Sequence, residues 1–298
     1  MKKRKTALIA LLVSLFALTP LAACNASAPK SEGEVSSSSD SFESGDESSS
    51  ELFPETPQPP EVESPSPTPP EEPTPEPPVQ EPAPPQKQYD RYIRCTGDSV
   101  NLRSGAGTGY SVLGTAEKGT TYQVLNEKNG WYKTQYKGVT AYLSASYAKE
   151  FSLEKSENPA VEEVLAVGYK LIGTKYVFGA TRLHDGKGNL LYGFKATRFD
   201  CSSLTQYAFY YGAGVLLGTT TRTQVKQGSF VKRSNLQRGD CIYFTNDERR
   251  HLSGIERIGH VAIYLGEGYI LHTASDFARI EKLTDKRWNN YVESRRFL

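Results

Sequence analysis

The chain has 298 residues, enough for two ordinary domains, but its charge is spread unevenly. The formal net charge is +1, whereas residues 25–88 hold 14 acidic residues and two lysines, and residues 89–298 hold 29 basic and 20 acidic residues. A basic folded part suits an anionic polymer such as a cell wall. We expect no nucleic-acid partner, because no long Lys/Arg run is present and the N-terminus predicts export.

Residues 1–23 predict a secretory signal. Basic residues 2–5 precede an apolar run from Ala7 to about Leu21 that is too short for a stable membrane span. Leu21-Ala22-Ala23-Cys24 resembles the lipobox of bacterial lipoproteins, in which the cysteine thiol is acylated. The resemblance implies that Cys24 is lipidated and that the protein is anchored to the outer side of the membrane, facing the cell wall. The alternative is an ordinary cleavage site with an incidental cysteine.

Residues 24–88 predict a disordered linker. A Ser/Glu/Asp-rich tract is followed by a Pro-rich one, with 15 of the 18 prolines between Pro54 and Pro85. Such sequence buries too little apolar surface to fold and favours extended polyproline.

Residues 89–150 predict a small all-β domain, because short strands alternate with glycine turns such as Asn129-Gly130 and Lys137-Gly138. We expect strands at 100–103, 110–113, 121–125, 131–136 and 140–143, with Cys95 buried in an earlier first strand. The segments 100–105, 107–108, 118–119 and 129–133 resemble a bacterial SH3 (SH3b) domain, a small SH3-like barrel. That resemblance implies binding of wall peptides or a part in an adjoining cleft; the alternative is a spacer without a ligand.

Residues 155–298 predict a second domain that mixes helices and strands. Asn158-Pro159 is typical of a helix start, and the helical spacing continues until Gly173. A second helix is expected at 201–212, with Leu204, Tyr207, Ala208 and Tyr211 on its buried face.

Asp200 is a plausible N-cap for this second helix, which puts Cys201 in the first turn. Helix N-termini lower the pKa of a thiol, so we expect Cys201 to be a reactive nucleophile. The alternative is a packed core cysteine. Apart from Cys24, three cysteines remain (Cys95, Cys201 and Cys241), so at least one is free, and Cys241 is expected in the core.

Two of the four histidines fall on adjacent predicted strands. A hairpin with Gly266-Glu267-Gly268 as its loop pairs Leu265 with Tyr269 and Ala262 with His272. His260 then becomes a diagonal neighbour of His272 on the same face. One imidazole could act as base while the other orients it. The alternatives are two structural strand histidines or half of a metal site, and metal is disfavoured because no spaced third ligand lies nearby.

Together these segments resemble the NlpC/P60 family of cysteine peptidases, with six motifs in the family's order: 176–179, 199–202, 222–223, 236–244, 259–264 and His272. The resemblance implies an α+β, papain-like catalytic domain without metal or cofactor. It assigns Cys201 as nucleophile, His260 as general base and His272 as the orienting residue. By the same likeness Tyr176 lies near the oxyanion site, and Asp200 and Ser202 contact the substrate's amino end, although Asp200 could be only a helix cap.

The chain departs from the family at two single positions and in two longer segments. Ser203 stands where the family usually has glycine, and Phe178 stands where tryptophan is common. Segments 181–198 and 245–257 are inserted loops, which either form walls of the cleft or are neutral surface loops. His184 and His251 lie in these loops and are expected to be solvated.

The resemblance implies a peptidoglycan endopeptidase that cuts stem peptides, usually between D-γ-glutamate and the diamino acid, and we expect a monomer. The alternatives are a hydrolase of another peptidoglycan amide, or a wall-binding lipoprotein with a degenerate catalytic domain.

Overall fold

The computed structural model describes residues 86–180, 182–192 and 196–298. The predicted signal, Cys24 and nearly all of the predicted linker lie outside these residues. Among the helices that are described, none is both long and apolar enough to cross a membrane.

Residues 89–154 form a small SH3-like β domain. Its strands are β1 (Tyr89–Cys95), β2 (Val100–Arg103), β3 (Val112–Ala116), β4 (Thr121–Gln123), β5 (Asn126–Lys128), β6 (Trp131–Tyr136), β7 (Val139–Ser144) and β8 (Ala148–Glu154), with a 3₁₀ turn at Ala145–Tyr147. The strands expected at 100–103 and 131–136 have the predicted bounds, and Asn129 and Lys137 adopt the positive φ angles of tight hairpin turns. Cys95 is 1% exposed, as expected.

Residues 155–298 form the mixed domain. Its helices are α1 (Pro159–Lys170), α2 (Cys201–Ala213), α3 (Thr221–Gln224) and α4 (Asp285–Trp288). Its strands are β9 (Lys175–Tyr176), β10 (Arg198–Phe199), β11 (Ser229–Phe230), β12 (Cys241–Thr245), β13 (Ile258–Gly266), β14 (Tyr269–Ala274), β15 (Phe277–Lys282) and β16 (Tyr291–Arg296), with 3₁₀ turns at Arg233–Asn235 and Gly254–Arg257.

Both long helices begin where their capping residues predict. Asn158 accepts a hydrogen bond from the amide of Ala160, and Pro159 opens α1. The apolar stripe of α2 is shorter than predicted, because Leu204 and Ala208 are fully buried whereas Tyr211 is 54% exposed. Cys241 is fully buried in β12, as expected.

The two domains share one β-sheet. The order β11-β16-β12-β13-β14-β15-β4-β1-β8 runs from the mixed domain into the SH3-like domain, where Ile280 of β15 pairs with Thr121 of β4. Strands β3-β2-β7-β6-β5 form a second sheet. The described residues of both domains form one compact unit. β8 runs past the predicted limit at residue 150, and the exact domain limits stay predictions.

The β13–β14 hairpin has the predicted register in its body. Ile263 pairs with Leu271 and Tyr264 with Ile270, the offset that the sequence gives. The predicted Leu265–Tyr269 pair is wrong, because an irregularity after Tyr264 places Gly266 opposite Tyr269. The slip lies at the loop end of the hairpin, away from His260 and His272, which still meet through their side chains.

Candidate active site

Cys201 is the first residue of helix α2. Asp200 caps the helix, since its Oδ1 accepts from the amide of Ser203 at 2.8 Å while Ser203 Oγ accepts from the amide of Asp200 at 2.9 Å. This reciprocal capping box uses the serine that replaces the family's glycine. The serine at position 203, where the family usually has glycine, therefore fixes the start of the helix that carries Cys201.

The carboxylate of Asp200 has further donors besides the capping amide. Arg182 reaches both oxygens, at 3.0 Å to Oδ1 and 2.6 Å to Oδ2, the hydroxyl of Ser202 donates at 2.9 Å, and the amide of Gly179 at 3.1 Å. Burial alone would raise the pKa of Asp200, but the hydrogen bonds and charge of Arg182 outweigh it and the pKa is lowered. Asp200 is therefore a buried, ionised and well-paired cap.

Cys201 is 8% exposed, and its thiol lies near main-chain amides. The main-chain amides of Ser202 and of Val261, which directly follows His260 in β13, favour the thiolate and act to lower the pKa of Cys201. Burial, with the nearby charge of Asp200, nevertheless raises the pKa of Cys201 to about 12. The expectation of a lowered thiol pKa is therefore wrong, because desolvation exceeds the effect of the helix terminus.

His260 and His272 form the predicted pair. Nε2 of His260 lies 2.9 Å from Nδ1 of His272, and the two rings are nearly perpendicular at 84°. Burial lowers the pKa of both imidazoles: that of His260 falls well below its ordinary value, and that of His272 is lowered although Glu281 acts to raise it. Both rings are therefore neutral near pH 7.

Sequence reasoning missed two charged residues beside this pair. Glu281 of β15 has its Oε1 3.2 Å from Nε2 of His272, and Arg287 donates to the same oxygen at 2.7 Å. Both positions are unremarkable in the sequence. Only the pairing of β14 with β15, in which Ile270 lies opposite Glu281, brings the carboxylate to the histidine face.

Tyr176 and Ser202 lie near the thiol. Tyr176 ends the short strand β9, and burial raises its pKa with added effects from Cys201 and Asp200. Ser202 is 4% exposed and its hydroxyl faces Asp200. The structure therefore gathers Tyr176, Asp200 and Ser202 around Cys201.

The first insertion packs against the helix that carries Cys201. Gln206 of α2 accepts from the amide of Leu183 at 2.9 Å, and His184 Nε2 lies 2.9 Å from the carbonyl oxygen of Leu217. His184 is 6% exposed, so the expectation that it is solvated is wrong: both ring nitrogens have backbone partners. His251, in the second insertion, is exposed as predicted.

The second insertion is held by charge pairs. Arg249 Nη2 donates to Glu256 at 2.9 Å, and Arg222 Nε lies 3.4 Å from the same carboxylate. Glu248 is close enough to Tyr176 to raise its pKa. This insertion therefore reaches the surroundings of the candidate site.

A buried thiol at a helix N-terminus, with an imidazole pair on the adjoining strand, is the arrangement of a cysteine hydrolase. Comparison with known proteins identifies two matching regions. Residues 173–296 match the model of the NlpC/P60 family and residues 98–149 that of the bacterial SH3 domain. The chain therefore carries an NlpC/P60 domain behind a bacterial SH3 domain, which confirms the resemblance drawn from the sequence. In the part of the chain that is described, no three His, Cys, Asp or Glu side chains are grouped for a metal ion.

Several known proteins are similar to part of the chain. The chain is 29% identical over 175 residues to a gamma-DL-glutamyl hydrolase of Bacillus subtilis, covering 56% of this chain and 38% of that protein. It is 32% identical over 141 residues to the peptidoglycan DL-endopeptidase CwlO of Bacillus licheniformis, covering 46% and 28%. An NlpC/P60 family crystal structure from Bacillus cereus matches with a TM-score of 0.38 at 23% identity, covering 70% of this chain and 64% of that one. The chain thus spans little more than a third of these curated relatives at most.

Proposed function

We propose that this protein is a peptidoglycan hydrolase, a cysteine endopeptidase that cuts stem peptides at the bond between D-γ-glutamate and the diamino acid. The observation that carries the proposal is the 2.9 Å pairing of His260 with His272, together with the place of Cys201 as first residue of the capped helix α2. The names of the relatives, a glutamyl hydrolase and a DL-endopeptidase, support the substrate class.

The reaction starts from a neutral thiol and a neutral imidazole, because the pKa of Cys201 is raised and that of His260 is lowered. His260 takes the thiol proton as the sulfur attacks the carbonyl carbon, which gives a tetrahedral oxyanion. The amide C–N bond then breaks, the leaving amine takes the proton from His260, and a thioester remains on Cys201. Water, deprotonated by His260, hydrolyses the thioester and restores the thiol.

The other site residues take supporting roles in this proposal. His272 orients His260 through the 2.9 Å hydrogen bond. Tyr176 lies near the reacting carbonyl, and Asp200 and Ser202 shape the side of the cleft that receives the substrate's amino end. No cofactor takes part.

We place the enzyme outside the cytoplasm, facing the cell wall, as a monomer anchored to the membrane through lipidated Cys24. The sequence Leu21-Ala22-Ala23-Cys24 supports the anchor, and the net positive charge of residues 89–298 supports contact with an anionic wall.

The test is incubation of the full chain with purified muropeptides, followed by mass spectrometry of the products. We expect cleavage after D-γ-glutamate by the native protein, none by Cys201→Ala, and full activity in Cys95→Ala, a matched buried cysteine in the SH3 domain. Cleavage of a different amide would identify another wall hydrolase. Binding of muropeptides without cleavage by either protein would instead identify a wall-binding lipoprotein and refute the peptidase.

A further inference from the structure

The outer nitrogen of His272 has an unusual environment. The residue is 1% exposed, and its Nε2 has no well-aligned hydrogen-bond partner among the described residues. The carboxylate oxygen Oε1 of Glu281 is the charged atom beside it, at 3.2 Å. A buried ring nitrogen is costly to leave unpaired, so this contact requires an explanation.

The hydrogen bond between the two histidines fixes their protons relative to each other. Each neutral ring has one N–H and one bare nitrogen. Since His260 Nε2 and His272 Nδ1 share one hydrogen bond of 2.9 Å, one of them carries the proton and the other does not. The state of His272 Nε2 therefore decides which nitrogen of His260 is bare.

Glu281 can only accept a hydrogen bond when it is ionised. Burial would raise its pKa, but the contact with His272 and the charges of Arg287 and Arg279 lower it to about 2. Arg287 Nη2 also donates to the same oxygen at 2.7 Å, which holds the carboxylate in place. An ionised oxygen fixed beside Nε2 favours the proton on that nitrogen.

We propose that Glu281 is a positioning residue for the base: it holds His272 with its proton on Nε2, so that His272 Nδ1 accepts from His260 Nε2–H and His260 Nδ1 is left bare. The bare nitrogen is then free to take the Cys201 proton. This role deepens the proposed peptidase function and depends on it.

The strand that carries Glu281 is itself supported on both sides. β15 pairs with β14 along six residue pairs and with β4 of the SH3 domain through Ile280 and Thr121. Arg279, which lies opposite His272, is 3.4 Å from Glu117 of the SH3 domain. The carboxylate is therefore presented by a strand between the two domains and not by a loop.

The first measurement is nitrogen-15 NMR of histidine-labelled full chain, in which only four histidines contribute. Two-bond nitrogen–hydrogen couplings distinguish protonated from bare ring nitrogens. We expect both His272 and His260 to carry their protons on Nε2. A proton on Nδ1 of His272 in the native protein overturns the proposal, and this result requires neither a variant nor any enzymatic activity.

The second measurement compares two substitutions of Glu281. In Glu281→Gln the amide oxygen can replace Oε1 as acceptor, so the tautomer is retained and kcat stays within about fivefold. In Glu281→Leu no acceptor remains, so we expect the tautomers to mix and kcat to fall about 10- to 100-fold with KM little changed. Glu117→Leu, which removes a carboxylate from the same strand's surroundings, is the matched control and should keep native kcat.

Equal losses in the Gln and Leu variants with unchanged histidine tautomers would show a merely structural role and refute the proposal. If Glu281→Leu does not fold, the nitrogen-15 spectrum of the native protein and the Glu281→Gln variant still test the proposed role of Glu281. If the native protein cuts no amide, the proposed function fails, whereas the tautomer result stands by itself.

Discussion

Arg182 and Asp200 form a two-point ion pair at the N-terminus of the helix that carries Cys201. The guanidinium comes from the first insertion and reaches both carboxylate oxygens, at 3.0 and 2.6 Å. The Asp200 side chain is 5% exposed and that of Arg182 23%. An inserted segment therefore neutralises the charged cap beside the thiol.

We predict that Arg182→Leu destabilises the protein and makes Cys201 less reactive. Removing the guanidinium leaves a buried carboxylate with only neutral donors, at a cost of about 1–3 kcal/mol. It also removes the positive charge that lowers the pKa of Cys201. Chemical denaturation measures the first effect and the iodoacetamide rate the second. Arg250→Leu, which breaks an exposed pair with Asp247, should change neither, and a neutral result for Arg182→Leu would contradict the prediction.

The reactivity of Cys201 should increase steadily with pH. With a pKa of about 12, the thiolate fraction rises about tenfold for each unit between pH 7 and 10. Iodoacetamide alkylation of the native chain, followed by peptide mass spectrometry, should show this slope at Cys201. A plateau below pH 9 would mean that the helix terminus outweighs burial after all.

Stability should fall as the pH decreases below 6.5. An unfolded histidine takes up a proton near that pH, whereas buried His260 and His272 have lowered pKa values and stay neutral, so protonation favours the unfolded chain. Each histidine can cost up to about 1 kcal/mol between pH 6.5 and 5.5. Asp200 and Glu281 also have lowered pKa values, but their effect begins at more acidic pH.

Denaturant unfolding at pH 7.5, 6.5 and 5.5 measures this dependence. His260→Gln should flatten it, while His251→Gln, at an exposed position, should keep the native slope. A native protein equally stable at the three pH values would exclude buried neutral histidines.

The two domains should unfold together, and Arg238 should be central to this coupling. Its guanidinium contacts Glu162 at 2.7 Å and, in the SH3 domain, Asp90 at 3.0 Å and the hydroxyl of Tyr92 at 2.9 Å. We predict that Arg238→Met costs about 3–5 kcal/mol, because it leaves two carboxylates near the interface without their cation.

Calorimetry measures the coupling. We expect a single transition in the native chain and a lower melting temperature in Arg238→Met. Lys118→Met, at an exposed pair with Asp98, is the control and should leave the transition unchanged. Two separate transitions in the native chain would show that the domains are independent.

Much of the site could be predicted because its signals are local. Asp200 is a common capping residue, and the two-residue period of strands places His260 and His272 on one face whatever surrounds them. The slip at Gly266 was not predictable from the spacing, yet it lies beyond the histidine pair and leaves it intact.

The features of the site and fold that the sequence does not predict depend on contacts between distant segments. The raised pKa of Cys201 follows from burial, and the capping pattern at the start of a helix does not predict how deeply a residue is buried. Arg182 and His184 lie in a polar insertion whose burial shows only in the fold, where it contacts Asp200, Gln206 of α2 and Leu217. Glu281 becomes significant only when β15 pairs with β14, and the sharing of one sheet between the domains depends on the single Ile280–Thr121 pair.

The shared sheet also determines how a mechanical load enters the protein. β1 is paired along its whole length with β8 and on its other side with β4, which in turn meets β15. Tension on the chain that precedes Tyr89 therefore pulls on an inner strand and is shared by two rows of hydrogen bonds. A tether attached there would hold the histidine-bearing sheet at a set orientation and not swing it about a hinge.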